Sequence, residues 1–586
     1  MEEGRLKRLL TVFVVLSLAV IGKVMYSVFI GGRAFSYAFL ERIPARSGII
    51  YDVDGRVLAA DLLRYVAYLD RDYLLKRKGE SELARLANIL RLDVRYLRER
   101  RFPVLMRSNL ERSILATVPS DLIRFVSIEK EYERFSISSS SFATYLNRIE
   151  EYHKDLVEKK RDGYVSRDLV SKDRRVVEPV NGYDLHLTVD MDIQRAADMI
   201  IENAVRKYQA KDGLIIVMES QTGAIKAVAS TYDWPFAAQG YFEPGSSLKP
   251  IIYAIALEEG EISTSTIFHC IGEIQPLPNS SVVIHDIDAH GTVTTVDALV
   301  RSCNVASVQI SKRIAFDLGL ERYYWWLRRF GLGELTGVDI PNETSGSLPE
   351  PSRWYDTFFA HLAIGQGIGV SGFQLIRAFN TVVTSGLLVT PHFLHTVSGP
   401  KETKSLTYPT KRVISRTTAL AVRRMLEKVV TVGTGVKAQV SNLRVGGKTG
   451  TAQKASRNGY VSGRYYSIFL GFFPVEDPEY TMLVLLDEPS AGYFGGDVAA
   501  PVFAEVVEAI SKQSIEGGRA TTCSVVKGLV PDFHRLTVKE AQLLASAMGL
   551  DAHIQGRGIV VWQSVEPGRI YKEPLSIALR CEFGDE

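Results

Sequence analysis

Residues 243–257 read Glu-Pro-Gly-Ser-Ser-Leu-Lys-Pro and then Ile-Ile-Tyr-Ala-Ile-Ala-Leu, and no other stretch restricts the fold as much. A Pro-Gly turn leads into a helix so apolar that it has to be buried, and Gly260 closes it. Ser246 therefore stands at a helix N-terminus, where unpaired backbone N–H groups favour developing negative charge. Lys249 lies one turn on along the same face, and Pro250 is tolerated because it falls in the first turn. A serine hydroxyl is a poor nucleophile until a neighbour takes its proton. A lysine can do so only where burial or nearby positive charge lowers its pKa, and Lys448 is a source of such charge. Alone the Ser-x-x-Lys pair says little, since Ser398 to Lys401 and Ser524 to Lys527 also fit it, and an N-cap serine beside a surface lysine reads the same.

Two further elements change its weight. Ser302-Cys303-Asn304 joins one helical pattern, Thr295 to Arg301, to another, Val305 to Ile314. In a locally extended turn Ser302 and Asn304 point the same way, so one could pass a proton and the other hold a substrate amide; capping roles are the alternative. Val445 to Ala452 reads as a strand whose glycines let a ligand backbone lie close. Thr449 and Thr451 share one side of it, Lys448 adds positive charge, and the Thr451 N–H could join that of Ser246 as an oxyanion hole. Gly447-Lys448-Thr449 is not a phosphate-binding loop, because position 442, where that motif needs glycine, is Asn.

In this order the three elements resemble the motif set of penicillin-binding proteins and class A β-lactamases. Phe330 to Gly333, Thr336 to Pro341, Ala363 to Gly367, Gly471 to Pro474 and Gly495 to Phe503 are similar to segments of penicillin-binding transpeptidases, so the likeness runs over roughly residues 185 to 510. The resemblance implies Ser246 as nucleophile, Lys249 as general base and Ser302 as proton relay. It assigns Asn304, Lys448, Thr449, Gly450 and Thr451 to substrate binding, with peptidoglycan stem peptides as substrates, β-lactams as mimics, and no metal or organic cofactor. No Glu-x-x-Leu-Asn segment like the class A deacylation base is found, which speaks against a β-lactamase. A non-catalytic wall-binding or β-lactam-sensing scaffold is the rival from another class, and intact Ser246, Lys249 and Lys448 argue against it.

The flanks refine the class. Arg5, Lys7 and Arg8 precede an apolar stretch, Leu9 to Ile30, long enough to cross about 30 Å of hydrocarbon with the basic side in the cytoplasm. No Ala-x-Ala-like site follows, so this is expected to be an uncleaved anchor, with Lys23 snorkelling outward. Arg46 to Ala59 resembles the opening of the class B pedestal, Glu131 to Arg134 a later segment of it, and nothing resembles a glycosyltransferase domain. The glycines usual in that family around Glu150, Glu151, Tyr152 and Leu156 are missing. Leu529 to Phe533, a helix over Thr537 to Gly549, and Val561 to Gly568 resemble a single PASTA module; in the family such modules accompany division and sporulation transpeptidases, which inclines the reading to the septal type, with an elongation or sporulation transpeptidase of the same class as the alternative.

The expected fold is therefore multidomain α+β. A cytoplasmic tail (1–8) and a single transmembrane helix (9–30) precede an elongated α/β pedestal (31–184), an α/β/α transpeptidase domain of serine β-lactamase-like type (185–515) and a small PASTA-like α/β module (520–586). The expected location is the cytoplasmic membrane with the catalytic part outside, beside a membrane glycan polymerase and divisome proteins. A formal net charge of +3 is too small to argue for nucleic acid, and the clusters Arg98 to Arg101 and Lys159 to Arg161 read as solvated faces. Cys270, Cys303, Cys523 and Cys581 match neither a metal-ligand spacing nor a dense disulfide framework. A bridge between Cys523 and Cys581 is conceivable in an oxidising compartment.

Overall fold

The computed structural model describes residues 16–18, 20–21 and 23, and then 38–582 except 70, 90–92, 96–103, 107–116, 124, 138–139, 169–173, 457–458, 517–529, 532, 534–535, 537, 549, 567–568 and 570–574. The anchor expected at 9–30 thus falls almost entirely outside the described residues, and so do Arg98 to Arg101. Among the described residues no helix is long and apolar enough to cross a membrane. The chain forms two compact units that do not follow sequence order. One comprises Met1–Arg46, Leu63–Glu133 and Lys160–Gly182, the other Ser47–Leu62, Arg134–Lys159 and Tyr183–Glu586.

In the first unit the leucines spaced for a helix do form one, Glu80–Ile89, with Leu83, Leu86 and Ala87 buried. They pack with Leu74, Leu122 and Phe125 into a small core of their own. A three-stranded antiparallel sheet joins Ala38–Ile43, Gly163–Asp168 and Arg174–Val177.

The second unit is built on a five-stranded antiparallel sheet, in the order Ile225–Ser230, Asp212–Glu219, Tyr480–Asp487, Gly459–Phe473 and Gly446–Ser456. Its inner strands are apolar on both faces, so both must be covered. Ile215, Val217, Val484 and Leu486 pack with Ile193, Ile201, Val502 and Val506, which come from helices Met191–Lys207 and Gly495–Glu516. Leu214, Ile216, Leu483 and Leu485 belong to the opposite core, with Ile251 and Ile255 of the helix Lys249–Glu258, Phe379 and Leu426. The result is an α/β/α sandwich with the helix after Ser246 in its interior.

Arg134 joins three segments of this unit. It donates to the Gly48 carbonyl at 2.7 Å, to Asp61 at 3.3 Å and to Glu150 at 2.7 Å, and Asp61 also accepts the Ser47 N–H at 2.6 Å. Glu150 lies on the helix Phe142–Tyr152, which buries Phe142, Tyr145, Leu146 and Ile149, so the stretch without its usual glycines is regular helix. Towards the C-terminus, helix Val538–Ala547 is followed by a sheet in the order Leu550–Gly556, Leu575–Glu582, Ile559–Gln563. Buried Gln563 accepts the Phe533 N–H at 2.7 Å and donates to the carbonyls of Pro531 and Val565. Cys581 is a free, buried thiol and so forms no bridge; its conceivable partner Cys523 lies outside the described residues.

Candidate active site

The Pro-Gly-Ser turn is a 3-10 turn, Gly245–Leu248, that runs directly into the helix Lys249–Glu258. The expected single helix start is thus tighter for its first turn, and Pro250 falls near the beginning of the α-helix, where its missing N–H costs nothing. Gly260 ends the run with φ +79°, as its position suggested. Gly245 has φ +56° and donates its N–H to the Gly365 carbonyl at 3.0 Å. Gly365 lies so close in return that a Cβ there would come within 1.9 Å of the Gly245 carbonyl oxygen. Two glycines therefore hold the turn that presents Ser246, one on each side of the contact. Among the described residues Ser246 Oγ has no hydrogen-bond partner, and the residue is partly exposed.

Lys249 and Lys448 are both fully buried and both face Ser302. Lys249 Nζ donates to the Ser302 carbonyl at 2.6 Å and to Asn304 Oδ1 at 2.7 Å, and lies 3.3 Å from Ser302 Oγ. Lys448 Nζ donates to Ser302 Oγ at 2.9 Å and to the Thr449 carbonyl at 2.9 Å. Burial brings the Lys249 ammonium down to about 8, against weaker opposition from Asp286 and Cys303. Lys448 is held well below the ordinary lysine value, by burial first and then by the charge of Lys249. One hydroxyl therefore bridges two amines that resist being charged together.

The turn carrying Ser302 is not extended. Ser302 has φ +59°, Cys303 caps the next helix, and Asn304 is its first residue. A left-handed serine costs on the order of 1–3 kcal/mol and persists where its surroundings fix it. Its carbonyl and hydroxyl are both engaged by the lysines, which is why a conformation disfavoured for the dipeptide prevails here.

Gly446–Ser456 is the edge strand of the sheet, so alternate backbone N–H groups face away from its neighbour. Gly450 lets the Ser246 turn lie against it: a Cβ there would stand 3.0 Å from that of Ser247 and 3.1 Å from the Pro244 carbonyl. Thr449 Oγ1 shares a hydrogen bond with Thr434 Oγ1 at 2.9 Å, and Thr451 Oγ1 accepts the Gly495 N–H at 3.1 Å. All eight residues singled out from sequence thus lie on three elements that meet. Thr434 carried no sequence signal of its own. Nor did Glu243, which accepts the Gly367 N–H at 2.9 Å and lines a cavity of about 520 Å³ with Phe242, Lys454 and Tyr466.

The reading that the cysteines form no cluster is overturned for two of them. Cys270 and Cys303 meet Asp286 and His290, with one ligating atom of each residue inside a 4.8 Å limit. The four come from three separate segments, which no linear spacing reveals.

The family described as penicillin binding protein transpeptidase domain matches residues 213–508, about half of the chain. The chain belongs to the class B penicillin-binding transpeptidases. Among its relatives, Stage V sporulation protein D of Bacillus subtilis is 29% identical over 70% of this chain and 67% of its own length. The probable peptidoglycan D,D-transpeptidase PenA of Neisseria meningitidis is 26% identical over 86% and 92% respectively. The transpeptidase shares its fold with penicillin-binding protein 3 of Mycobacterium tuberculosis, solved with aztreonam, at a TM-score of 0.61 and 24% identity, over 82% of this chain and 97% of that one. A transpeptidase fold of mixed α/β type, expected from the motifs, is the fold found.

Proposed function

We propose that this transpeptidase is a peptidoglycan D,D-transpeptidase that cross-links stem peptides through an acyl group on Ser246. The observation that carries the reading is the bridge Lys249–Ser302–Lys448 beside an unpartnered serine hydroxyl. With its proton moved to Lys448 through Ser302, Lys249 is a neutral base, and Lys448 becomes the cation that meets a substrate carboxylate near Thr449 and Thr451. Ser246 Oγ, losing its proton to Lys249, adds to the carbonyl of the penultimate D-alanine. The oxyanion faces the N–H groups of Ser246 and Thr451. Collapse expels the terminal D-alanine, whose amine takes up the proton from Lys249 via Ser302. Asn304 holds the donor amide, and an amine from a neighbouring stem peptide then resolves the acyl-enzyme. β-Lactams, two of which have been solved in complex with penicillin-binding protein 3 of Mycobacterium tuberculosis, would be trapped at the acyl stage.

Residues 9–30 anchor the protein in the cytoplasmic membrane with the catalytic part outside, and the C-terminal module is of PASTA type. The workplace is the division septum, next to a membrane glycan polymerase and divisome proteins. The similarity to a sporulation protein favours one second reading, a role in spore formation. Depletion distinguishes them: filamentous cells support septal work, whereas normal division with defective spores refutes it. For the chemistry, the test is covalent labelling by a fluorescent penicillin followed by a stem-peptide assay. A persistent adduct, absent in Ser246→Ala, with cross-linked product supports the proposal; absence of an adduct in the unaltered protein refutes it.

A further inference from the structure

We infer that Cys270, Asp286, His290 and Cys303 form a closed zinc site that fixes the Ser302 turn. The case is geometric. A tetrahedral zinc ion with bonds of about 2.3 Å to sulfur and about 2.0–2.1 Å to nitrogen or oxygen requires its ligand atoms to stand about 3.3–3.8 Å apart. Cys270 Sγ is 3.5 Å from Asp286 Oδ2 and 3.5 Å from His290 Nδ1, and His290 Nδ1 is 3.6 Å from Asp286 Oδ2. Three edges of the tetrahedron are thus already drawn, and Cys303 Sγ lies within the same small cluster.

The chemistry of the set agrees. Two thiolates, an imidazole and a carboxylate suit zinc and do not suit magnesium or calcium, which take oxygen ligands. Four protein ligands leave no open position, so the site holds structure and takes no substrate. All four are well shielded: Cys270 is 1% exposed, Cys303 0%, and the side chains of Asp286 and His290 2% and 11%. The surrounding donors are those that steady metal ligands. Asp286 Oδ2 accepts the N–H groups of Asn304 at 2.7 Å and Val305 at 3.2 Å, and Cys303 Sγ accepts that of Ala306 at 3.3 Å. On binding, two Zn–S bonds replace two S–H bonds and the two protons go to solvent.

Location gives the site its purpose. Cys270 ends the strand Ile267–Cys270, Asp286 and His290 lie in the loop that enters the strand Gly291–Thr294, and Cys303 caps the helix Asn304–Arg313. Cys303 is flanked by Ser302 and Asn304, both bonded to Lys249. The metal would tie the whole excursion 267–294 to the residues that orient the base. It acts by positioning and touches no reacting atom. This role rests on the function proposed above, whereas the metal itself does not.

The experiment uses the full chain, purified without chelators. Elemental analysis is expected to find a single zinc per chain, lost in Cys270→Ser and in His290→Ala. Cobalt substitution is expected to give thiolate-to-cobalt charge-transfer absorption that both variants lack. Stripping the unaltered protein with a chelator and refilling it with zinc avoids reliance on variants that fold poorly. Stripping is expected to slow penicillin acylation about tenfold to a hundredfold, as a displaced catalytic turn should, and zinc to restore it. A zinc-free protein that takes up none when offered, with both thiols open to alkylation or joined in a disulfide, overturns the site. Zinc bound but acylation unchanged on stripping overturns the positioning role.

Discussion

Acylation by penicillin should be level with pH around neutrality and fall on the alkaline side, with a midpoint at about 8. The perturbation is pH alone, and the quantity to measure is the second-order acylation rate at low penicillin, which reports protonation of the free enzyme. On the mechanism proposed above, productive binding needs a single proton on the lysine pair, carried by Lys448 opposite the carboxylate. In the free enzyme that proton sits on Lys249, whose ammonium burial has brought down to about 8. At pH 7 about nine-tenths of the molecules hold it, and at pH 9 about one-eleventh, so the rate should drop about tenfold between the two. The sign follows from the direction of the shift: a depressed lysine loses its proton on alkalinisation, at a lower pH than a free lysine would. Transfer needs two short steps, from Lys249 to Ser302 Oγ across 3.3 Å and on to Lys448 across 2.9 Å. Stopped-flow fluorescence with a labelled penicillin reads the rate. A profile that instead climbs through pH 8 would refute the shared proton, since Lys249 would then have to lose it to solvent first.

Ser302→Ala removes the bridging hydroxyl and should lower the acylation rate about 10²- to 10⁴-fold in the same assay, with the alkaline midpoint moved, because the lysines then titrate without a common partner. Gly365→Ala places a Cβ against the Gly245 carbonyl at a backbone with φ +72°, so it should abolish penicillin labelling and lower the melting temperature. Arg134→Ala removes the donor shared by the Gly48 carbonyl, Asp61 and Glu150 and should destabilise the transpeptidase by on the order of 3 kcal/mol, read as an earlier thermal transition; an unchanged transition would show the three-way tie to be idle. Gln563→Ala strips partners from the Phe533 N–H and two carbonyls and should destabilise the C-terminal module by about 1–3 kcal/mol while leaving penicillin acylation unchanged.

What the sequence disclosed depended on how local the signal was. The helix after Ser246, its closure at Gly260 and the Lys448 strand were legible because apolar runs and glycines act within a few residues. The left-handed backbone of Ser302 was not, since two lysines distant in sequence impose it. The same holds for Thr434, known only by its bond to Thr449, and for the cluster around Cys270. The two compact units are a further case. Ser47–Leu62 and Arg134–Lys159 group with the transpeptidase sheet although they sit within the stretch read as pedestal, and long-range partners such as Arg134 with Gly48 and Glu150 leave no local trace.

The edge strand Gly446–Ser456 has a second consequence, for colloidal behaviour. An open sheet edge is a template on which another chain can add a strand and begin to aggregate. Here part of that edge is occupied: Gly245 brings the Ser246 turn against the Thr451 carbonyl, and Gly495 crowds the Gly450 carbonyl so closely that a Cβ would meet it at 2.3 Å. What stays open carries Gly446, Gly447 and Gly450, and glycines make a poor strand-pairing template. The strand beside Ser246 is thereby kept from pairing with a foreign strand.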